Sequence, residues 1–87
     1  MSTCVLGGEL TLASAAARLA EPDLIGDEVT LDLSGVTRVD SAAVALLLAW
    51  QRRAHAAGTR LLIAGASASL LQLARLYGVD KLLPFVE

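Results

Sequence analysis

One cysteine and one histidine in 87 residues remove most site chemistry from consideration. Cys4 has no partner for an internal disulfide, which fits a reducing, cytoplasmic setting. A zinc site needs three or four ligands, so neither a metal nor a cofactor is expected. The nearest approach to a nucleophile and base is Ser41 with His55, and both fall in one predicted helix. At 1.5 Å per residue that helix holds them about 21 Å apart, far beyond hydrogen-bond reach. No catalysis is expected, and His55 beside Arg52 and Arg53 reads as a solvated helix end that suits the helix dipole. With Trp50, Tyr77 and Phe85 its only aromatics and a net charge of −2, the chain lacks the marks of a nucleic-acid surface. Neither Gly7-Gly8 nor the turn at Gly65 has the spacing of a phosphate-binding loop. The longest apolar run, Ala42–Trp50, has nine residues, against about 20 for a membrane span, so no direct membrane insertion is expected. No basic segment followed by an apolar one opens the sequence, as a secretory leader would require.

What the chain has in quantity is small and aliphatic residues. It is 55% hydrophobic, with 18% charge and a mean hydropathy of +0.62. Residues 1–87 suffice for one domain near the lower size limit for a self-sufficient core. Such a domain has much surface for its volume, and so apolar a composition implies that some apolar surface meets a partner.

The organising stretch is Val36–Arg53, VTRVDSAAVALLLAWQRR. It leaves a strand, crosses a polar turn at Asp40 and Ser41, and enters a helix. Both turn residues are of the type that accepts hydrogen bonds from a first helical turn, and Asp40 adds negative charge at the positive end of the dipole. On a helical wheel Ala43, Val44, Leu47, Gln51 and Ala54 share one face, and Ala42, Ala45, Ala49, Arg53 and Ala56 lie roughly opposite. A face turned only to water should be polar, yet this second one begins with three alanines.

The remaining elements follow in order. Thr3–Leu6 is a short β-type run ended by Gly7-Gly8, with Glu9-Leu10 able to continue the sheet. Thr11 precedes a predicted helix over 12–20, whose apolar stripe is Leu12, Ala15, Ala16 and Leu19, and Glu21-Pro22 stops it. Residues 28–33 alternate strictly, a strand covered on one face, closed by Ser34-Gly35. The organising helix closes at Gly58, and Arg60–Ala64 is an apolar, central strand. Strand, helix and strand make a parallel, right-handed βαβ unit. Ser67 caps a third helix carrying Leu70, Leu71, Leu73, Ala74 and Tyr77, Gly78 stops it, and Pro84-Phe85-Val86 is a short last strand.

Leu31 through Ser41, LDLSGVTRVDS, together with LARLY at Leu73–Tyr77 and LLP at Leu82–Pro84, resembles the STAS domain, most closely its MlaB-like members. The likeness spans about residues 8–86. It implies an α/β fold with a STAS-like mixed β-sheet and helices packed mainly on one face. It also implies a non-catalytic, cytoplasmic accessory subunit that binds the ATPase of a phospholipid-transport ABC system. The binding region of such members falls here on Asp40, Ser41, Ala42, Ala45 and Ala49. In the anti-sigma-factor antagonists of the same family, the alternative function, the phosphate acceptor is the second hydroxyl residue of the turn. Ala42 stands there and has no acceptor oxygen, which leaves Ser41 as the candidate phosphorylation site. Family members usually carry more strand before the segment matching Gly8–Leu10. This implies a reduced sheet edge or a late start to the sequence, and with a reduced edge the chain is expected to self-associate.

Overall fold

The computed structural model describes residues 2–86. Three parallel strands, β1 (Ser2–Leu10), β2 (Glu28–Val39) and β3 (Arg60–Ala64), lie in the order β1-β2-β3. Three helices accompany them: α1 (Ala15–Arg18), α2 (Ser41–Ala56) and α3 (Ala68–Leu76). The α/β architecture is the one expected, but in place of a mixture of strand directions every pairing among the described residues is parallel.

Two strands run further than the glycines suggested. Ser34-Gly35 does not end β2, and Gly7-Gly8 does not end β1, because the two stretches pair with each other, Gly7 with Gly35 and Gly8 with Val36. The register shifts between Val5 and Gly7 and again between Gly8 and Glu9, and each shift leaves one extra residue on β2. Glycine in a strand marks such a bulge as readily as a terminus. β3 has the expected bounds, but β2 is the middle strand. The far side of β3 is flanked by a single parallel bridge from Ile63 to Phe85, where the expected last strand lies.

One face of the sheet is buried. Val29, Leu31 and Leu33 of β2 and Leu61 and Ile63 of β3 point at α2, which answers with Ala43, Val44, Leu46, Leu47, Trp50 and Ala54. α3 adds Leu70 and Ala74, while Tyr77, predicted to pack, lies exposed at the helix end. Its cap is the expected one, Ser67 Oγ accepting from Leu70 N–H at 3.2 Å. Gly58, at φ +73°, takes the left-handed position just past α2.

Candidate functional site

The N-terminus of α2 is built by Asp40. Its backbone is extended and its Oδ1 accepts from Ala42 N–H at 2.8 Å, closing an orphan donor of the first turn. Asp40 is therefore the cap, and Ser41 is the first helical residue, exposed. The other carboxylate oxygen reaches across the chain: Oδ2 accepts from Leu12 N–H at 3.0 Å. Asp40 N–H in turn donates to Leu10 O at 3.3 Å. One carboxylate thus fixes both the start of α2 and the segment that leaves β1.

That segment departs from its predicted form. The helix expected over 12–20 is a single turn, Ala15–Arg18, with Ser14 at its N-cap position and Thr11 buried before it. Ser14 Oγ donates to Glu9 O at 2.8 Å and accepts from Thr11 N–H at 3.0 Å, a local alternative to continued helix. The apolar stripe does not enter the core. Leu12 is 80% exposed and Leu19 48% exposed.

The far end of the segment is held from α2. Trp50, wholly buried, donates its indole N–H to Leu19 O at 2.8 Å, and Arg53 Nη1 donates to the same oxygen at 2.9 Å. The Arg53 guanidinium also donates to Pro22 O, so Arg53, exposed as its place in the sequence implied, is a tether as well. His55 does lie exposed in the last turn of α2, as expected.

Between these attachments lies an open apolar groove of about 540 Å³. Ala42, Ala45, Leu46 and Ala49 of α2 form one wall; Leu12, Ala15, Ala16 and Leu19 form the other; Asp40 and Ser41 stand at its end. All five residues singled out by the alanine face and the turn therefore come together. Ala45 is exposed and Ala42 and Ala49 are half-buried, which agrees with the wheel. The second wall was visible in the sequence as the apolar stripe of a helix, with no sign of what it would face. Small side chains on both walls, Ala42, Ala45 and Ala49 against Ala15 and Ala16, leave room for another chain's backbone, and the Asp40 carboxylate at the end of the groove is already engaged by the Leu12 and Ala42 N–H groups.

Asp32 lies on the open face of the sheet, away from this groove. The Ser34 backbone N–H, 2.9 Å from its Oδ1, and then the Ser34 hydroxyl hold its carboxyl below the ordinary aspartate value.

A family model described as MlaB, STAS domain, matches residues 2–84. Among solved structures, the unphosphorylated form of the anti-sigma factor antagonist SpoIIAA is similar, with a TM-score of 0.72 and 16% identity. That similarity covers 99% of this chain and 80% of the other, and at such identity it concerns the fold alone. No curated protein matches the sequence.

Proposed function

The chain belongs to the STAS-domain family, in the group described as MlaB, and on that premise we propose that it is a non-catalytic, cytoplasmic accessory subunit that binds the ATPase of a phospholipid-transport ABC system. STAS domains generally act by binding other proteins. The observation that carries the reading is the groove: an unpartnered apolar cleft built on the turn and helix by which MlaB-like members engage their ATPase. Burial of its aliphatic walls supplies the affinity, and Asp40 and Ser41 supply polar contacts at one end. Among the described residues no helix is long and apolar enough to cross a membrane, so the proposed role is at the ATPase and not within the bilayer. The rival reading, an anti-sigma-factor antagonist, requires a phosphate acceptor where Ala42 stands.

Co-expression of the chain with a phospholipid-transport ATPase, and separately with a kinase-type anti-sigma factor, tests the choice. A complex that survives sizing is expected with the first and not with the second. Incubation with the kinase and ATP should leave the intact mass unchanged. A gain of roughly 80 Da, one phosphate, mapping to Ser41 and accompanied by kinase binding, contradicts the proposal.

A further inference from the structure

The two walls of the groove are placed by different means. The α2 wall stands on the core, since Ala43, Val44, Leu46 and Leu47 of the same helix are buried beneath it. The opposite wall has no such footing. α1 is one turn long, too short to hold itself as a helix, and none of its residues is buried. Half-buried Ala15 is its one contact with the core. Hydrogen bonds at its two ends therefore set where it lies. Ahead of it, Leu12 N–H donates to Asp40 at 3.0 Å. Behind it, Leu19 O accepts from Trp50 at 2.8 Å and from Arg53 at 2.9 Å, and Pro22 O accepts from Arg53 as well.

The two carbonyls held by Arg53 belong to chain of different kinds. Leu19 ends the loosely seated wall. Pro22 opens a fixed stretch, in which Pro22 and Leu24 are buried and Leu24 O accepts from the Thr59 hydroxyl at 3.2 Å. We infer that Arg53 is a positioning residue of the groove: by bridging Leu19 O and Pro22 O its guanidinium sets the spacing of the two walls, and through it the affinity for the partner. The inference rests on the ATPase reading of the groove.

The task suits this side chain. A guanidinium presents several N–H donors in a rigid plane and can hold two carbonyls at once, whereas a lysine ammonium is a flexible point charge. Arg53 is exposed, so replacing it opens no cavity in the core, unlike its fellow donor Trp50. A wall released at this end must be ordered again when a partner binds, and that cost falls on affinity rather than on folding. Arg52 supplies the control. It carries the same charge one residue away and is exposed, and its side chain makes no hydrogen bond or ion pair among the described residues. Arg53 does not line the groove, so its effect is transmitted through the wall that it holds.

Arg53→Gln, Arg53→Lys and Arg52→Gln test the inference, each followed by a melt, by amide exchange of the free chain and by titration against a phospholipid-transport ATPase. Both Arg53 variants should leave the melting curve nearly unchanged. The amides of Arg18, Leu19 and Glu21, which donate to Ser14, Ala15 and Arg18 O, should exchange several-fold faster. Affinity for the ATPase should fall about tenfold, within the usual range of coupling between sites. Arg52→Gln should leave all three readings as they are. Unchanged exchange in Arg53→Gln, faster exchange without a loss of affinity, or a marked fall in melting temperature overturns the inference. So does an Arg53→Lys variant that binds as tightly as the unaltered chain, or an equal loss of affinity in Arg52→Gln, since either makes charge the cause. An unaltered chain that fails to bind the ATPase overturns the reading of the groove and this inference with it.

Discussion

Ala43 and Ala45 are the same residue, two positions apart on the same helix, and the fold uses them in opposite ways. Ala43 is wholly buried against the sheet, whereas Ala45 is exposed in the groove. Around Ala43 the larger side chains Leu46, Leu47 and Trp50 fill the space between α2 and the sheet. Around Ala45 the facing wall is α1 with its flanking residues, of which Leu12 and Leu19 remain largely in solvent. The difference teaches that apolar character alone does not define a core. What defines it is whether the opposing element delivers side chains large enough to close the gap.

The sharpest way to break this comparison is to place the same charge on each side. Ala43→Glu puts an unpaired carboxylate into a packed core and should cost at least about 3 kcal/mol, enough to unfold much of a domain this small. A urea melt reads it directly. If Ala43→Glu is tolerated, the face assigned to the core is not packed.

Next in size is Asp40→Ala, which removes the cap of α2 and releases Leu12. A loss of about 1–2 kcal/mol is expected in the same melt, the upper range for a helix cap. It should be accompanied by faster amide exchange at Leu12 and Ala42, the two donors its carboxylate holds. Unchanged exchange at Leu12 would mean that the two walls of the groove are not joined through Asp40.

Ser41→Ala sharpens the contrast between cap and first helical residue. Because Asp40 is the cap, the change should move stability by no more than about 0.5 kcal/mol, as at an ordinary surface site. A loss near 1 kcal/mol would return the capping role to Ser41.

The smallest effect is expected at Asp32. Its carboxyl is held below the ordinary value, so its contribution to stability is complete above the pKa of the unfolded chain and fades as pH falls through the folded one. Asp32→Asn should therefore lower stability slightly at neutral pH, with the difference from the unaltered chain fading as pH falls, so that the acid limb is slightly flatter. A folded-state pKa at or above the ordinary aspartate value, read by carboxyl NMR, would contradict the hydrogen bonds from Ser34.

Much of the fold was legible because period is a strong signal. The alternation of Val29, Leu31 and Leu33, the wheel of α2 and the cap at Ser67 all stand where the sequence put them. The strand ends did not, because Gly7-Gly8 and Gly35 look locally like terminators, and only their pairing across β1 and β2 makes them bulges. The alanine wall of the groove was equally legible, since Ala42, Ala45 and Ala49 break the rule that a solvent face is polar. The opposite wall was not. Helical spacing at Leu12, Ala15, Ala16 and Leu19 reads the same whether the stripe meets a core or an empty cleft. The tethers from Asp40, Trp50 and Arg53 that decide between them join residues 28 to 34 positions apart.

Under the proposed function the groove face is free in the isolated domain and covered in a complex with the ATPase. Ala45→Glu tests it in one pair of measurements, a thermal melt of the free chain and a titration against the ATPase. The melt should change by no more than about 0.5 kcal/mol. Affinity should fall roughly thirtyfold or more, about 2 kcal/mol, because the complex buries an unpaired carboxylate in an apolar site. A variant that unfolds the free domain, or one that binds the ATPase as well as the unaltered chain does, would contradict the account.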